Sequence, residues 1–283
     1  MMAIERVGIV GSGIMGSGVA EVAAKAGYEV ILRSRKQETA DAMIGSLEKS
    51  LAKQVEKGRL EQADADAVRG RVSATSELKD LAECDLVLES IVEEIGPKKE
   101  LFADLDSIVK DGAILATNTS TLSVTELAGA TGRAERVCGV HFFNPAPVMK
   151  LVEIVEAEGT SADTLAEATA FAEACGKNPV PVKDRAGFIV NALLFPYLNN
   201  AVRMVEDGIA TKEGIDSAMK DGCGFPMGPF ELLDLVGLDT SLSITEALHE
   251  GLGDPNYEPR PTLRQLVADG KLGRKTGEGF YTY

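Results

Sequence analysis

The sequence is poor in several residue types that carry metal, disulfide or membrane chemistry. Its 283 residues include no tryptophan, two histidines and four cysteines. The cysteines are widely spaced and form no C-x-x-C pair, so buried, reduced thiols are expected rather than zinc ligands or disulfides. No apolar run approaches the roughly 18 residues that span a bilayer, and the first apolar strand begins too early to follow a signal peptide. We therefore expect a cytoplasmic protein with no metal site and no membrane association.

Basic residues are also scarce. There are 29 lysines and arginines against 44 acidic residues, which gives a net charge of −15. A nucleic-acid-binding surface is therefore not expected. An anionic ligand could bind only where basic residues are concentrated locally.

The first part of the chain alternates short runs rich in Val, Ile and Leu with helical patterns. This alternation predicts a Rossmann-type α/β fold, with a doubly wound, mainly parallel sheet. We assign residues 1–184 to a dinucleotide-binding domain. The predicted strands are 6–10, 29–33, 71–75, 85–90, 112–118, 136–142, 150–155 and 179–183, and the predicted helices are 14–26, 37–58, 97–109, 122–129 and 161–175.

The pattern changes after about residue 185. Residues 188–208 are apolar on most faces, which predicts a largely buried helix. Short helical patterns follow, and FYTY at 280–283 is the only later strand pattern. We assign residues 185–283 to an all-helical domain that contributes to substrate binding and to a homodimer interface.

A glycine-rich motif connects the first strand to the first helix. Gly11, Gly13 and Gly16 form G-x-G-x-x-G, within the loop of Gly11, Ser12, Gly13, Ile14, Met15 and Gly16. Strand, motif, helix and second strand all occur within 33 residues, which is the context that a dinucleotide-binding loop requires. The loop predicts that a pyrophosphate binds at the helix N-terminus.

Six further motifs follow in order. They are N-T-S-T-L-S (118–123), H-F-F-N-P-A-P-V-M-K-L-V-E (141–153), G-F-I-V-N (187–191), P-M-G-P (226–229), D-L-V-G-L-D (234–239) and G-R-K-T-G-E-G-F-Y (273–281). Together with the glycine loop, they make the whole chain resemble the 3-hydroxyacyl-CoA dehydrogenases, most closely the bacterial 3-hydroxybutyryl-CoA dehydrogenases. The resemblance implies hydride transfer between the C3 carbon of an acyl-CoA and a nicotinamide cofactor.

The resemblance also implies the catalytic residues. His141 would exchange the proton of the C3 hydroxyl, and Glu153 would orient His141 and stabilise its charged form. Ser120 would bond the substrate oxygen, and the Asn191 amide would help hold the substrate. From the residues alone, His141 could be an ordinary core histidine, Ser120 a turn residue and Asn191 a helix-to-helix hydrogen-bonding group. Glu153 is harder to dismiss, because a carboxylate inside an apolar strand is costly to bury without a partner.

Further contacts come from the same resemblance. Glu93, Lys98, Ser120, Asn144 and Lys275 match residues near the cofactor, and Ser50 and Lys57 match contacts to coenzyme A. Lys49, Lys53 and Lys57 also share one face of the helix predicted at 37–58, because they are spaced four residues apart. This strip could bind the phosphates of coenzyme A, or it could be a solvated helix face.

The end of the second predicted strand bears on cofactor choice. An NAD-specific domain places Asp or Glu there to bind the ribose hydroxyls. This chain has Ser34, flanked by Arg33 and Arg35. A serine and an arginine can bind a 2′-phosphate, which an acid would repel. We therefore expect NADP(H) to be preferred, with NAD(H) as the alternative.

Two other functions remain compatible with parts of the sequence. A dehydrogenase of a free 3-hydroxy acid would not need the lysine strip, and a non-catalytic dinucleotide sensor would not need a His–Glu pair. Acyl chain length, the direction of the reaction and its pathway are not predictable. This chain has Phe225 before P-M-G-P, where relatives often have histidine. The resemblance therefore does not predict which acyl chains are preferred.

Overall fold

The computed structural model describes residues 4–283, which divide into two compact units at Asp184 and Arg185. The first unit contains one eight-stranded sheet in the order β3-β2-β1-β4-β5-β6-β7-β8. Neighbouring strands are parallel, except that β6 and β7 are antiparallel. The strands are β1 (Arg6–Val10), β2 (Glu29–Arg33), β3 (Val72–Thr75), β4 (Leu86–Glu89), β5 (Ile114–Thr117), β6 (Val137–Phe142), β7 (Leu151–Glu156) and β8 (Asn178–Lys183).

Helices connect the parallel strands of this sheet. They are α1 (Ile14–Lys25), α2 (Gln37–Glu56), α3 (Gln62–Gly70), α4 (Ile95–Ile108), α5 (Val124–Ala128) and α6 (Ala162–Ala174). The β1-α1-β2 order and the mainly parallel sheet confirm the predicted Rossmann-type fold. Helix α3 was missed by the sequence analysis, because its only buried residues are Ala65 and Val68, which is too weak an apolar pattern to stand out.

Strand β4 and strand β5 are buried at every position, as expected for central parallel strands. Strand β8 lies at one edge of the sheet and contains Pro179 and Pro181. Proline lacks the N–H that a ladder needs, so an edge position is where a strand can accept it. The burial of these strands therefore follows their position in the sheet, with the central strands buried and the edge strand β8 partly exposed.

The second unit is helical. Its helices are α7 (Val190–Glu206), α8 (Lys212–Cys223), α9 (Pro229–Val236), α10 (Leu238–Leu252) and α11 (Pro261–Ala268). Their apolar faces meet in one core that includes Phe195, Leu198, Phe230 and Leu248. Among residues 4–283, no helix is both long enough and apolar enough to cross a membrane.

One sequence prediction for this unit holds at most positions and another is wrong. Helix α7 is buried or half-buried except at Leu193, Asn200 and Arg203, of which the apolar Leu193 is 71% exposed. Residues 280–283 form no strand; Thr282 makes a single isolated bridge to Glu278. The chain end is instead held by the buried carboxylate of Asp234, which accepts hydrogen bonds from the backbone N–H groups of Phe280 and Tyr281 at 2.8 Å each.

The prediction of four buried cysteines is also wrong in part. Cys84 and Cys138 are buried, Cys175 is partly buried and Cys223 is exposed. Burial raises the pKa of the Cys84, Cys138 and Cys175 thiols to about 12. Three of the four thiols are therefore protected from ionisation.

Candidate active site

The glycine loop leaves β1 and enters α1 through a turn that other residues could not form. Gly11 has φ +135°, and a Cβ there would lie 2.1 Å from the Ser90 carbonyl oxygen. A Cβ at Gly16 would lie 2.2 Å from the Gly11 carbonyl oxygen. No atom lies within 4 Å of a Cβ built at Gly13, so the backbone is open to an incoming group at that position.

This loop fits a dinucleotide pyrophosphate. Gly13 is the N-cap residue of α1, and the first N–H groups of a helix have no intrahelical acceptor. The N-terminus of a helix also carries partial positive charge, which favours a phosphate. Within the loop, Ile14 is 78% exposed, whereas Met15 packs against the core. Ser12 is exposed beside them.

The end of β2 carries Ser34 between two arginines. Ser34 directly follows the last residue of β2, and its Oγ lies 2.5 Å from the Thr39 Oγ1. Arg33 is half-buried and donates to the Ser76 carbonyl oxygen at 3.3 Å, whereas Arg35 is exposed. Burial and the neighbouring Arg35 lower the pKa of Arg33. Two cations therefore flank Ser34 at this strand end, and the nearby Glu77 carboxylate acts on Arg33 in the opposite sense, raising its pKa.

His141 and Glu153 face each other across the antiparallel pair of strands. They are directly opposed in the register of β6 and β7, and His141 Nδ1 lies 2.7 Å from Glu153 Oε2. His141 is 6% exposed and Glu153 is 1% exposed. An ionised carboxylate only accepts hydrogen bonds, so this contact favours the tautomer with the proton on Nδ1, in which Nε2 is the nitrogen that can act as a base. The Phe143 ring packs against the imidazole, with 4.5 Å between ring centroids.

An ionic network of the buried Lys98 and Glu89 and the exposed Glu93 holds the loop that contains Ser120. Lys98 is 1% exposed, and its Nζ lies 2.5 Å from Glu89 Oε1 and 3.2 Å from Glu93 Oε2. Glu93 Oε1 accepts from the Ser120 N–H at 2.7 Å, from the Ser120 hydroxyl at 3.3 Å and from the Thr119 hydroxyl at 2.6 Å. Burial works against the ionised form of Glu93, but Lys98 and these hydrogen bonds outweigh it and lower the pKa.

The same loop is tied to the strand of His141. Asn118 Oδ1 accepts from the Phe142 N–H at 2.7 Å, and Phe142 is the last residue of β6. Asn144 follows two residues later and is exposed. The described first unit thus brings Ser120, Glu93, Lys98, His141 and Glu153 to the carboxyl ends of β4, β5 and β6, where ligands of open α/β sheets bind.

Comparison with known proteins identifies the family. The 3-hydroxyacyl-CoA dehydrogenase NAD-binding domain matches residues 6–185, and the C-terminal domain of the same family matches residues 187–283. The probable 3-hydroxybutyryl-CoA dehydrogenase of Deinococcus radiodurans is 48% identical, over 98% of this chain and 100% of its own.

The chain belongs to the 3-hydroxyacyl-CoA dehydrogenase family. Two crystal structures are similar over nearly the whole length. FadB2 of Mycobacterium tuberculosis has a TM-score of 0.96 at 45% identity and covers 100% of both chains. The (S)-3-hydroxybutyryl-CoA dehydrogenase PaaH1 of Ralstonia eutropha has a TM-score of 0.95 at 40% identity and covers 99% of both.

The residues expected to bind coenzyme A in this member of the 3-hydroxyacyl-CoA dehydrogenase family lie on or beside α2. Lys49, Lys53 and Lys57 are exposed, and Lys57 caps the C-terminus of the helix. The Ser50 hydroxyl donates to Glu21 Oε2 at 2.7 Å. Glu21 also accepts from Lys25 Nζ at 2.6 Å, so Ser50 belongs to a hydrogen-bonded cluster between α1 and α2.

Three residues of the second unit were singled out from the sequence. Asn191 lies in the first turn of α7 and is 8% exposed. Lys275 Nζ lies 2.5 Å from Asp239 Oδ1 within the same unit. Phe225 is 43% exposed and stacks edge to face on Tyr197, with 6.0 Å between centroids.

Some residues around the site were missed by the sequence analysis. Glu89 accepts from Lys98, from the Ile91 N–H at 2.6 Å and from the Thr117 hydroxyl at 2.7 Å. Its signal is similar to that of Glu153, because both are carboxylates buried within an apolar strand, Glu89 at the end of β4 and Glu153 inside β7. Asn118 lies in a recognised motif and Glu21 in a predicted helix, but their hydrogen-bond partners, Phe142 and Ser50, are 24 and 29 residues away in the sequence.

Proposed function

We propose that this protein interconverts 3-hydroxyacyl-CoA and 3-oxoacyl-CoA, with 3-hydroxybutyryl-CoA and acetoacetyl-CoA as the short-chain pair. The observation that carries the proposal is the buried His141–Glu153 hydrogen bond of 2.7 Å. It lies near the carboxyl end of β6, on the edge of the sheet that also carries the glycine loop. The names of the full-length relatives support the same reaction.

His141 acts as the general acid–base in this proposal. In the oxidising direction its Nε2 takes the proton of the C3 hydroxyl, and in the reducing direction it returns that proton to the C3 oxygen. When bound, the nicotinamide accepts or supplies the hydride at C3. Glu153 keeps Nδ1 protonated and stabilises the imidazolium that forms, because its carboxylate is 2.7 Å away and almost fully buried.

Ser120 positions the substrate oxygen. Its backbone N–H is fixed by Glu93 at 2.7 Å, which sets the direction of the short loop after β5. The longer 3.3 Å contact of its hydroxyl with Glu93 is weak enough to exchange for a contact with substrate. For Asn191 and Lys275, the family resemblance is the whole basis of the expected roles in substrate and cofactor binding.

The cofactor is proposed to be NADP(H) rather than NAD(H). Support comes from Ser34 at the end of β2 and from the exposed Arg35 beside it. The Ser34 hydroxyl is already bonded to Thr39, so Arg35 is the group most free to bind a 2′-phosphate. A preference for NADP(H) would in turn favour reduction of the 3-oxoacyl-CoA. The homodimer, the cytoplasmic location and the separate roles of 1–184 and 185–283 stay predictions.

One experiment tests the reaction and both alternatives. Turnover of acetoacetyl-CoA and of free acetoacetate is measured with NADPH and with NADH. We expect turnover of the thioester only, with the higher kcat/KM for NADPH. Equal turnover of free acetoacetate would favour a dehydrogenase of free acids, and dinucleotide binding with no turnover would favour a sensor. Better turnover with NADH would overturn the cofactor proposal alone.

A further inference from the structure

A buried lysine lies behind the turn that follows the strand of His141. Lys177 directly precedes β8 and is 8% exposed. Its Nζ donates to the Ala146 carbonyl oxygen at 2.5 Å and to the Met149 carbonyl oxygen at 2.9 Å. Both acceptors are uncharged backbone groups, so the ammonium ion is stabilised by peptide dipoles.

Residues 145–149 form a single tight turn. The Pro145 carbonyl oxygen accepts from the Val148 N–H at 2.9 Å and from the Met149 N–H at 3.0 Å. Lys177 bonds the carbonyls of Ala146 and Met149, at the beginning and the end of this turn. A single side chain therefore fixes both ends of a segment that no β-ladder holds.

The other side of the turn packs against α1. A Cβ added at Gly18 would lie 3.2 Å from the Ala146 Cβ and 3.3 Å from the Pro147 Cδ. These distances are tighter than ordinary van der Waals contact, and Ala146 is 2% exposed. The turn is thus held between Lys177 and α1, and it has little room to shift in either direction.

This turn forms part of the wall of a cavity of about 330 Å³ within the first unit. The cavity extends from the glycine loop to α2. Ser50, which matches a coenzyme A contact of the family, lines it as well. The residues of the turn that line the cavity are Pro145, Ala146 and Pro147.

We propose that Lys177 is a positioning residue that fixes the 145–149 turn as a wall of this cavity and thereby sets the affinity for coenzyme A thioesters. The inference rests on the proposed function. Replacing the ammonium ion with an apolar group would leave two carbonyl groups without their donor, and the turn would move to satisfy them. Displacements of about 1 Å in a wall of a binding site are enough to weaken binding severalfold or more.

The test compares Lys177→Met and Lys177→Arg with the unmodified protein. Lys183→Met is the matched control, because Lys183 is the last residue of β8, the strand that Lys177 precedes, and its side chain is 78% exposed. The Kd of coenzyme A is measured by calorimetry and the Kd of NADPH by fluorescence, together with kcat and KM for acetoacetyl-CoA. We expect Lys177→Met to raise the Kd and KM for the CoA ligands about tenfold, with a smaller change in kcat. Lys177→Arg keeps the donors and should restore part of the affinity.

A second variant tests the wall without touching Lys177. Gly18→Ala adds a methyl group on α1 that displaces the turn, so it should also raise the Kd of coenzyme A. It replaces Lys177→Met as the test if Lys177→Met does not fold. A loss of Tm with unchanged Kd and KM in these variants would make Lys177 a fold-stabilising residue only and would overturn the inference. Absence of coenzyme A binding by the unmodified protein would overturn the proposed function as well.

Discussion

Replacing Glu153 with glutamine keeps the shape of the side chain and removes its charge. The carboxylate is 1% exposed and lies 2.7 Å from His141 Nδ1. Its hydrogen bond strengthens when the imidazole takes the substrate proton, because the pair then carries opposite charges in a site with little water. The neutral amide of the variant would lose that gain, and it could donate to Nδ1 and favour the wrong tautomer.

The magnitude follows from the type of hydrogen bond. A hydrogen bond to a charged group is worth about 1.5–3 kcal/mol. At about 1.4 kcal/mol for each factor of ten, kcat should fall about 10- to 150-fold. His141→Ala removes the acid–base itself and should lower kcat by about 10²–10⁴-fold. The Kd of the dinucleotide should change little in either variant.

The assay is steady-state oxidation of 3-hydroxybutyryl-CoA, followed by the absorbance of the reduced cofactor. Glu156→Gln is the matched control. Glu156 ends the same strand and pairs with the exposed Lys183, so its replacement should leave kcat unchanged. If Glu153→Gln folds normally and keeps kcat within about twofold of the unmodified enzyme, Glu153 has only a structural role and the proposed mechanism is wrong.

Four further predictions concern other parts of the molecule. Ser34→Asp should lower the kcat/KM for NADPH about 10- to 100-fold, because the new carboxylate repels the 2′-phosphate. The measurement is the ratio of kcat/KM for NADPH to kcat/KM for NADH, and an unchanged ratio would mean that this strand end does not select the cofactor. Lys57→Ala should raise the KM for acetoacetyl-CoA about two- to fivefold, as expected for the loss of one solvated ion pair. Lys79→Ala, a change at an exposed lysine outside α2, should leave this KM unchanged. An equal rise in both variants would mean that Lys57 acts only through the net charge of the protein. In the folded protein a thiol reagent should modify Cys223 alone, because the other three cysteines have a pKa of about 12; unfolding should release all four. The pKa of Glu93 is lowered in the folded protein, so ionised Glu93 stabilises the fold at pH values above the ordinary carboxyl pKa. This stabilisation should be lost as pH falls below about 4.5. Glu93→Gln should therefore make Tm fall less steeply with decreasing pH, and an unchanged dependence of Tm on pH would contradict the prediction.

Short sequence patterns were sufficient to predict most of the strands and helices of the first unit. Runs of Val, Ile and Leu at 6–10 and 29–33 predict the strands that the structure contains. The glycine motif predicts its own turn, because only glycine tolerates the φ of +135° at Gly11. Such features depend on neighbours a few residues away, and the sequence carries that information directly.

Other features depend on partners that the sequence does not place. The spacing of His141 and Glu153 predicts adjacent strands but not that the two side chains share a face, which follows from the register of β6 and β7. The Ser34 hydroxyl is engaged by Thr39, which strand patterns do not reveal. The exposure of one face of α7 could not be predicted, because apolar composition does not distinguish a core contact from a surface left open.

The direct opposition of His141 and Glu153 in a two-strand ladder also bears on how the enzyme can change over evolution. The two side chains are set by backbone pairing between β6 and β7, so the residues that link the strands, apart from the Phe143 that packs against the imidazole, can be varied without moving them. Insertions or substitutions in that link would reshape the cavity beside the 145–149 turn while the acid–base pair stays in place. Affinity for the ligand of this cavity is therefore open to redesign in the link separately from the acid–base chemistry, provided that the strand pairing keeps its register.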